Sequence, residues 1–410
     1  MNAKVHTQRR RQLMRMMGDD SIAILPAAPS LIRNRDVEHG FRQDSDFYYL
    51  SGFPEPEAVI VLIPHRKKKQ YVLFCRERDP LKETWNGYRY GPEGAVELFG
   101  ADEAYPIDDL EDILPGLMEH CESVHYTIGL NPEFDKHVLN CVNSLRRGSR
   151  RGTHAPYEFV SLDYLLHDMR LFKSRDELRL MKKAAKISVA HLNAMKACQP
   201  GMYEYELEAE FLYEFKSNGA DWAYPSIVGG GANGCILHYT ENNKPLNDGE
   251  LVLIDAGAEY GGYAADITRT FPVNGKYSNA QKEIYELVLA AQEAAIKKTK
   301  PGNHWNDPHN AAVKVLTKGM VELGMLKGKP AELIKKGGYS KYYMHRTGHW
   351  IGMDVHDVGD YKVDDEWRLL EPGMTLTIEP GLYIPSGSRG AKRWWNIGVR
   401  IEDDIVVTKE

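Results

Sequence analysis

The sequence has few cysteines, and none of them form the close pairs that metal knots and redox motifs need. Its 410 residues include five widely spaced cysteines, which are Cys75, Cys121, Cys141, Cys198 and Cys235. An odd number of cysteines without a CxxC pair is typical of reduced thiols and argues against a disulfide framework. We therefore predict a cytoplasmic protein.

Long apolar runs and a strong charge bias are also missing. No apolar run approaches the roughly 20 residues of a membrane span. The basic start, Gln8–Gln12, is followed by a segment that Arg15 interrupts too early for a secretion signal, so we interpret it as the solvated face of a helix. The formal net charge is only −6. We predict no nucleic acid and no membrane among the partners.

The length of the chain predicts more than one domain. Short β-rich runs occupy the first part, at residues 21–26, 46–52, 58–64 and 70–76. A helical pattern returns at 133–147. The capping box of Ser174 and Glu177 begins a new helix, and we place the domain boundary just before it. This gives a mixed α/β domain over residues 1–172 and a second domain over residues 173–410.

The second domain shows one plan twice. The helix from Ser174 extends to about Cys198, a second one begins near Glu204, and strands follow. A capping box at Ser278 begins the next helix, and Asp307 is the predicted N-cap of another. Strand-like segments close the chain at residues 345–357, 373–383 and 395–407. We predict an α/β (α+β) fold with two similar halves and the site between them.

The stretch 251–271 is interpreted as a β-hairpin with glycine supplying the turn. If the hairpin is symmetric about Tyr260 and Gly261, Asp255 faces Asp266 across the ladder. Side chains so opposed have Cβ atoms roughly 4.5–5.5 Å apart, where like charges are destabilising. Two such acids must share a proton or a cation, unless a bulge shifts the register.

Further candidates lie in the last third of the chain. Two histidines, His349 and His356, belong to a segment whose glycines let backbones approach closely. By strand alternation Glu379 lies opposite the apolar face of its strand, and Glu402 shares a face with Arg400. Arg400 is expected to favour the ionised form of Glu402. Each of these residues alone would be an ordinary structural or solvent-facing residue.

Together the candidates make an oxygen-rich set of four carboxylates and one imidazole. The set consists of Asp255, Asp266, His349, Glu379 and Glu402. It holds too many acids for one divalent ion and suits two ions that share carboxylates. A structural Zn²⁺ site would need sulfur or more imidazole. We therefore predict two divalent metal ions, with Mn²⁺ as the favoured metal.

The order of these five residues resembles that of the pita-bread metallopeptidases. The motifs IDAGAEYGGYAADITRTF, HRTGHWIGMDVHD, TIEPGLYI and GVRIEDD are specifically similar to Xaa-Pro aminopeptidase (aminopeptidase P). The similarity covers about 175–410 and extends into the N-terminal domain through Arg42–Phe53. It implies a pita-bread catalytic domain with pseudo-twofold halves, behind an aminopeptidase P-type N-terminal domain. The implied activity is metal-dependent release of the N-terminal residue from peptides with proline second.

The resemblance also implies a role for each member of the set. Asp255 would bind one ion and His349 with Glu379 the other, while Asp266 and Glu402 bridge them. A metal-bridging hydroxide would attack the carbonyl before proline, with Glu379 as proton acceptor and shuttle.

Four more residues match family positions around the metal centre. His238 and His356 resemble the histidines that hold the substrate carbonyl and stabilise the tetrahedral intermediate. Arg400 and Tyr383 match positions close to the metals.

Other expectations concern partners and neighbours of the site. Asp46 and Trp85 match residues that approach it from the partner domain or from a neighbouring subunit, and the family suggests a homodimer or homotetramer. Asp403 and Asp404 are expected to be exposed turn residues. A prolidase, which cleaves X-Pro dipeptides, is the nearest alternative. A non-catalytic relative that binds histones or RNA is disfavoured by the intact ligand set.

Overall fold

The computed structural model describes residues 3–388 and 392–409. By its internal contacts the chain divides into two compact units, Met1–Met169 and Arg170–Glu410. No helix in the described ranges combines the length and the apolar character needed to cross a bilayer. All five cysteines are free thiols.

The first unit is a mixed sheet with helices. Its strands are β1 (Ser21–Pro26), β2 (Ile32–Asn34), β3 (Val37–Glu38), β4 (Val59–Leu62), β5 (Tyr71–Cys75), β6 (Glu103–Pro106), β7 (Ser123–His125) and β8 (Glu158–Val160). The helices of this part of the chain are α1 (Ala3–Met17), α2 (Ser45–Ser51), α3 (Pro80–Asn86), α4 (Gly91–Phe99), α5 (Leu110–Met118), α6 (Pro132–Arg147) and α7 (Asp163–Leu171). The strand order is β6-β5-β4-β1-β7-β8. Strands β1, β4 and β5 contribute buried apolar residues to a core shared with α5 and α6.

One predicted strand of this unit is wrong. Residues 46–52 belong to helix α2, although their aromatic residues favour a strand. The ends of the segment decide its structure, because the Asp44 side chain accepts from the Phe47 amide at 2.8 Å and Gly52 closes the helix at φ 67°. The first is a typical N-cap and the second a typical glycine C-cap. The other predicted runs correspond to β1, β4, β5 and α6.

The second unit contains the remaining elements. Its helices are α8 (Arg175–Ile187), α9 (Ala190–Ala197), α10 (Glu204–Ser217), α11 (Asn279–Ile296), α12 (Asn306–Glu322) and α13 (Pro330–Lys335). Its strands are β9 (Asp221–Trp222), β10 (Ile227–Gly230), β11 (Leu251–Asp255), β12 (Ala258–Tyr260), β13 (Tyr263–Ala264), β14 (Thr268–Pro272), β15 (Lys362–Val363), β16 (Glu366–Trp367), β17 (Thr375–Ile378), β18 (Gly381–Ile384), β19 (Ile397–Arg400) and β20 (Asp403–Val406).

Two apolar cores divide this unit into halves. Helices α8, α9 and α10 pack their buried residues with those of β10, β11 and β14. Helices α11 and α12 do the same with β17, β18 and β19. The two capping boxes are present at Ser174 and Ser278, each accepting from the third helical amide. The predicted plan of helices followed by strands, twice over, is confirmed.

Several boundaries in this unit differ from the prediction. The first long helix breaks between Ile187 and Ala190, and there the Ser188 hydroxyl accepts from the Ala258 amide at 2.9 Å. Helix α12 begins at Asn306, after the cap residue Trp305, so Asp307 is not the N-cap. The segment 345–357 forms loops and turns instead of a strand.

The predicted centre of the hairpin is wrong by one residue, which shifts every pairing partner by two residues. Tyr260 pairs with Tyr263, which centres the turn on Gly261 and Gly262. Both glycines have positive φ, 61° and 79°, as a two-residue turn of this hand requires. Asp255 therefore pairs with Thr268 in the ladder between β11 and β14.

Candidate active site

The second unit contains a cavity of about 930 Å³. All five predicted ligands line it, and so do His238, His356 and Arg400. The five come from the ends of β11 and β17, from the segment between β13 and β14, from the loop before β17 and from the link between β19 and β20. Strand ends and glycine-containing loops thus bring together residues that lie up to 147 positions apart in the sequence.

A tyrosine hydroxyl joins the two aspartates. The Tyr224 hydroxyl lies 2.6 Å from Asp255 Oδ1 and 2.6 Å from Asp266 Oδ1. The aspartates are therefore close together, as predicted, although they are not ladder partners. A hydroxyl has one proton to donate, so it binds one carboxylate at a time and leaves negative charge on the pair to be balanced by other groups.

His349 is oriented with one nitrogen toward the acids. Its Nδ1 lies 2.9 Å from the Trp350 carbonyl oxygen, so Nδ1 carries the proton that it donates there. Its Nε2 lies 3.3 Å from Asp266 Oδ2 and 3.9 Å from Glu379 Oε1. Gly348 permits this placement, because a Cβ there would collide with the Thr377 carbonyl oxygen.

Glu402 and Arg400 bind the opposite side of the cluster. Glu402 Oε2 accepts a hydrogen bond from the Thr268 hydroxyl at 2.7 Å. Arg400 donates to Asp255 Oδ2 at 2.6 Å and to the Tyr383 hydroxyl at 3.0 Å. It lies 4.0 Å from Glu402, so its main carboxylate partner is Asp255.

Three of the four acids are buried beyond what Arg400 can compensate, whereas hydrogen bonds from His349 and Tyr224 and the charge of His349 hold the pKa of Asp266 below its usual value despite its burial. Burial and the charges of Asp266, Glu379 and Asp255 hold the pKa of Glu402 well above its usual value, even though Arg400 lowers it. Arg400 therefore favours the ionised form of Glu402, as predicted, but burial and the neighbouring acids outweigh its effect on the pKa. Burial likewise raises the pKa of Asp255 to about 6, against the lowering effect of Arg400.

Burial also raises the pKa of Glu379, to about 7, although the His349 and Arg400 charges lower it. Burial alone would lower the pKa of His349. The hydrogen bond and charge of Asp266, together with the charge of Glu379, raise it instead to about 9.

The neighbouring acids Asp403 and Asp404 are not exposed turn residues, as the sequence had suggested. They begin β20 and are partly buried. Asp403 pairs with Arg269 at 2.6 Å, and Asp404 Oδ2 accepts from the Asp266 amide at 3.1 Å. The pair of acids therefore supports the segment that contains Asp266.

The second set of predicted residues surrounds this cluster. The His356 ring centroid is 4.3 Å from that of His349, at an interplanar angle of 74°. His356 and His238 are exposed and line the cavity. His238 belongs to a turn, so the strand predicted through it is wrong. Tyr383 is fully buried in β18.

Asp46 and Trp85 belong to the first unit. Asp46 Oδ2 lies 3.7 Å from His167 Nε2, which lies equally far from Asp163 Oδ1. Trp85, on helix α3, is 87% exposed. Their approach to a catalytic site stays a prediction.

Sequence reasoning missed two residues of the cluster. Tyr224 lies 31 positions before Asp255, in a segment without a recognised motif. His345 precedes the predicted pair of histidines, and its Nε2 lies 2.9 Å from the Tyr383 hydroxyl and its Nδ1 3.6 Å from Glu379 Oε2. Its position directly beside the glycine-rich histidine segment was the available signal.

The donor set fits divalent cations. Ligand atoms of Asp266, His349 and Glu402 all lie within 4.8 Å of one another. Asp255 is joined to this group through Tyr224, and Glu379 through His349. Carboxylate oxygens with a single imidazole are donors that hard divalent ions prefer. A cation bound among these acids would also relieve the repulsion that raises the pKa of Glu402.

Comparisons with known proteins agree with this arrangement. Residues 179–409 match metallopeptidase family M24, and residues 6–126 match the aminopeptidase P N-terminal domain. The chain belongs to metallopeptidase family M24, and it has the pita-bread fold of the catalytic domain.

Relatives that match most of the chain include bacterial Xaa-Pro aminopeptidases. The chain is 46% identical to the Xaa-Pro aminopeptidase of Escherichia coli K12 over 98% of its length and 92% of that protein's. It is 56% identical to the Pseudomonas aeruginosa aminopeptidase PepP, whose structure matches with a TM-score of 0.99 over 100% of this chain and 93% of the other. Structures of E. coli aminopeptidase P, one zinc-substituted with product and one with the inhibitor Pro-Leu, match with a TM-score of 0.97 at 44% identity, over 100% and 93% of the two chains.

Proposed function

We propose that this metallopeptidase removes the N-terminal residue from peptides whose second residue is proline. The observation that carries the proposal is the convergence of Asp255, Asp266, His349, Glu379 and Glu402 on one cavity. The similarity to Xaa-Pro aminopeptidases over nearly the full length supports the choice of substrate.

We further propose two divalent ions at this cluster, with Mn²⁺ as the favoured metal. Asp255 would hold one ion, His349 and Glu379 the other, and Asp266 and Glu402 both. Bound ions supply a lowered pKa of water and polarisation of the scissile carbonyl. The zinc-substituted structure of a relative supports the view that different divalent metals can occupy such a site.

The side chains around the ions have distinct tasks. Glu379 is proposed to accept a proton at its carboxylate and to pass it to the leaving proline nitrogen. His238 and His356 line the cavity and would hold the substrate carbonyl oxygen as charge develops on it. Arg400 holds Asp255 and Tyr383 in place through hydrogen bonds of 2.6 and 3.0 Å.

The alternative of an X-Pro dipeptidase is not favoured. The two bacterial relatives that match over 98% of this chain and over 91–92% of their own length are named Xaa-Pro aminopeptidases, and a relative's structure with Pro-Leu matches over the whole chain. Comparing a tripeptide X-Pro-X with a dipeptide X-Pro tests the choice directly. Turnover of the dipeptide alone would overturn the proposal.

The deciding experiment uses metal-free enzyme. Chelator-treated protein is assayed with an X-Pro-X peptide before and after addition of Mn²⁺, Co²⁺ or Zn²⁺. We expect no turnover without metal, and the highest recovery with Mn²⁺. Full activity in a preparation free of divalent ions would contradict the proposal.

The remaining assignments complete the proposal. Residues 1–172 would form an aminopeptidase P-type N-terminal domain and residues 173–410 the catalytic domain. Asp46 and Trp85 would narrow access to a catalytic site, either their own or that of a neighbouring subunit. A homodimer or homotetramer in the cytoplasm is the proposed state, which light scattering and cell fractionation would test.

A further inference from the structure

At the exposed side of the cavity, two cationic side chains lie against the ring of a tryptophan. The Arg346 guanidinium carbon and the Lys362 ammonium each lie 5.0 Å from the centroid of the Trp367 ring. All three residues line the cavity. We name this group, Arg346, Lys362 and Trp367, the cationic rim.

Within the described residues, 3–388 and 392–409, the two cations of the rim have no acidic partner. No carboxylate oxygen of this part of the chain lies within 4.0 Å of the Arg346 or the Lys362 nitrogens. The Arg346 guanidinium donates to the Asn306 side-chain oxygen, which is uncharged. By contrast, the exposed Lys216 pairs with Asp221 at 2.6 Å. The positive charge of the rim is therefore available to a negatively charged group of a bound ligand.

The position of the rim indicates which part of a substrate meets it. Glu402 and Asp266 are only 2% and 5% exposed, whereas Arg346 and Lys362 are exposed. An enzyme that removes one residue holds the amino end at the reacting centre, so only the part after proline can extend toward solvent. Arg346 directly follows His345, which contacts Glu379, so the rim begins one residue from the reacting centre.

Resting on the proposed function, we propose that the cationic rim is a subsite for a carboxylate located after the proline. That carboxylate belongs either to an acidic side chain or to the C-terminus of a tripeptide. Guanidinium and ammonium groups bind carboxylates through charge-assisted hydrogen bonds. Asp360 also lines the cavity near the rim and opposes this preference.

The test compares matched peptides in one enzyme preparation. Ala-Pro-Glu-amide against Ala-Pro-Gln-amide isolates the acidic side chain, and Ala-Pro-Ala with a free carboxylate against its amide isolates the C-terminus. We expect the wild type to prefer one or both charged peptides about three- to tenfold in kcat/KM. The preference should reside in KM and weaken at high salt.

The variants locate the preference on the rim. The double variant Arg346→Gln, Lys362→Gln should bring the charged-to-neutral ratio close to one, whereas Arg346→Lys retains most of it. Asp360→Asn should increase the ratio. Lys327→Gln, at an exposed lysine outside the cavity lining, is the matched control and should leave the ratio unchanged. Using the ratio within each variant cancels losses of folded or active protein.

Two outcomes would overturn the inference. The first is a wild type that cleaves charged and neutral peptides equally well. The second is a preference that the double variant retains. Absence of turnover with every X-Pro peptide would instead overturn the proposed function, and the subsite with it.

Discussion

Two groups of buried carboxylates in the second unit differ in how their charge is balanced. Asp357 accepts from Arg170 at 2.6 Å and from Lys173 at 2.9 Å. Burial alone would raise its pKa, but the charges and hydrogen bonds of these two cations lower it below the usual value. In the catalytic cluster the pKa of Glu402 is instead raised.

The difference teaches what each group needs. The Asp357 cluster obtains its counter-charges from the chain itself, so it is complete on folding. The cluster of predicted metal ligands, called the catalytic cluster here, places four acids near Arg400. Arg400 lies 2.6 Å from Asp255 but 4.0 Å from Glu402, so it balances mainly the charge of Asp255. We propose that the remaining positive charge comes from cations that the protein binds.

The largest expected effect comes from removing an acid of the catalytic cluster. Glu402→Ala or Asp266→Ala should lower kcat/KM for an X-Pro-X peptide by about a thousandfold or more, equivalent to about 4 kcal/mol of transition-state stabilisation. Metal content, measured by mass spectrometry, should fall as well. Glu293→Ala, at an exposed acid on α11, is the control. Alanine variants with full metal content and turnover would contradict the comparison.

Removing the charge of Asp357 should lower the stability of the fold, because Asp357 balances the charges of Arg170 and Lys173. Asp357→Asn leaves Arg170 and Lys173 buried without their anion, which should reduce the free energy of unfolding by about 3–5 kcal/mol in urea titrations. Asp354→Asn should cost less, because the Asp354 side chain is 34% exposed. Equal losses of unfolding free energy in the two variants would contradict the view that Asp357 is the main partner of the two buried cations.

The same cluster predicts a pH dependence. Because the folded-state pKa of Asp357 lies below its unfolded value, its contribution is complete above the unfolded pKa, about 3.9, and is lost as the pH falls through the folded pKa. The stability difference between wild type and Asp357→Asn should therefore shrink below about pH 4. A difference that grows on acidification would have the wrong sign.

A smaller effect is expected from a histidine outside the ligand set. His238→Ala should lower kcat by about a hundredfold, because it removes a group that stabilises the developing charge. Metal content should stay near that of the wild type. His137→Ala, in the first unit, should leave both unchanged. Loss of metal in His238→Ala would make this histidine a ligand.

The smallest effect on the cluster is expected at Tyr224. Tyr224→Phe removes the hydroxyl that contacts Asp255 and Asp266, and changes of this kind weaken metal affinity by about 10-fold. Titration of metal-free protein with Mn²⁺ measures the change. Tyr239→Phe removes a hydroxyl that contacts Glu204, outside the ligand set, and provides the control. Unchanged affinity in Tyr224→Phe would show that the hydroxyl does not orient the aspartates.

The sequence predicted the members of the cavity better than their local geometry. Hydrophobic pattern and helix caps located most elements, and the resemblance pointed to the four acids and the histidine. The direct pairing of Asp255 with Asp266 failed, because the left-handed turn residues Gly261 and Gly262 set the register. Tyr224 had no local signal, because only tertiary folding brings its hydroxyl to both aspartates.

The central claim is that the gathered acids need cations, and the unfolding temperature of Glu402→Gln tests it most directly. Glutamine keeps an acceptor for the Thr268 hydroxyl but cannot ionise. Without metal, the variant should unfold about 2–4 °C above the wild type, because it avoids the cost, about 1 kcal/mol, of either protonating Glu402 or keeping it ionised beside the other acids. With Mn²⁺ it should gain less stability than the wild type does. A metal-free variant that is less stable, together with an unchanged gain from Mn²⁺, would contradict the account.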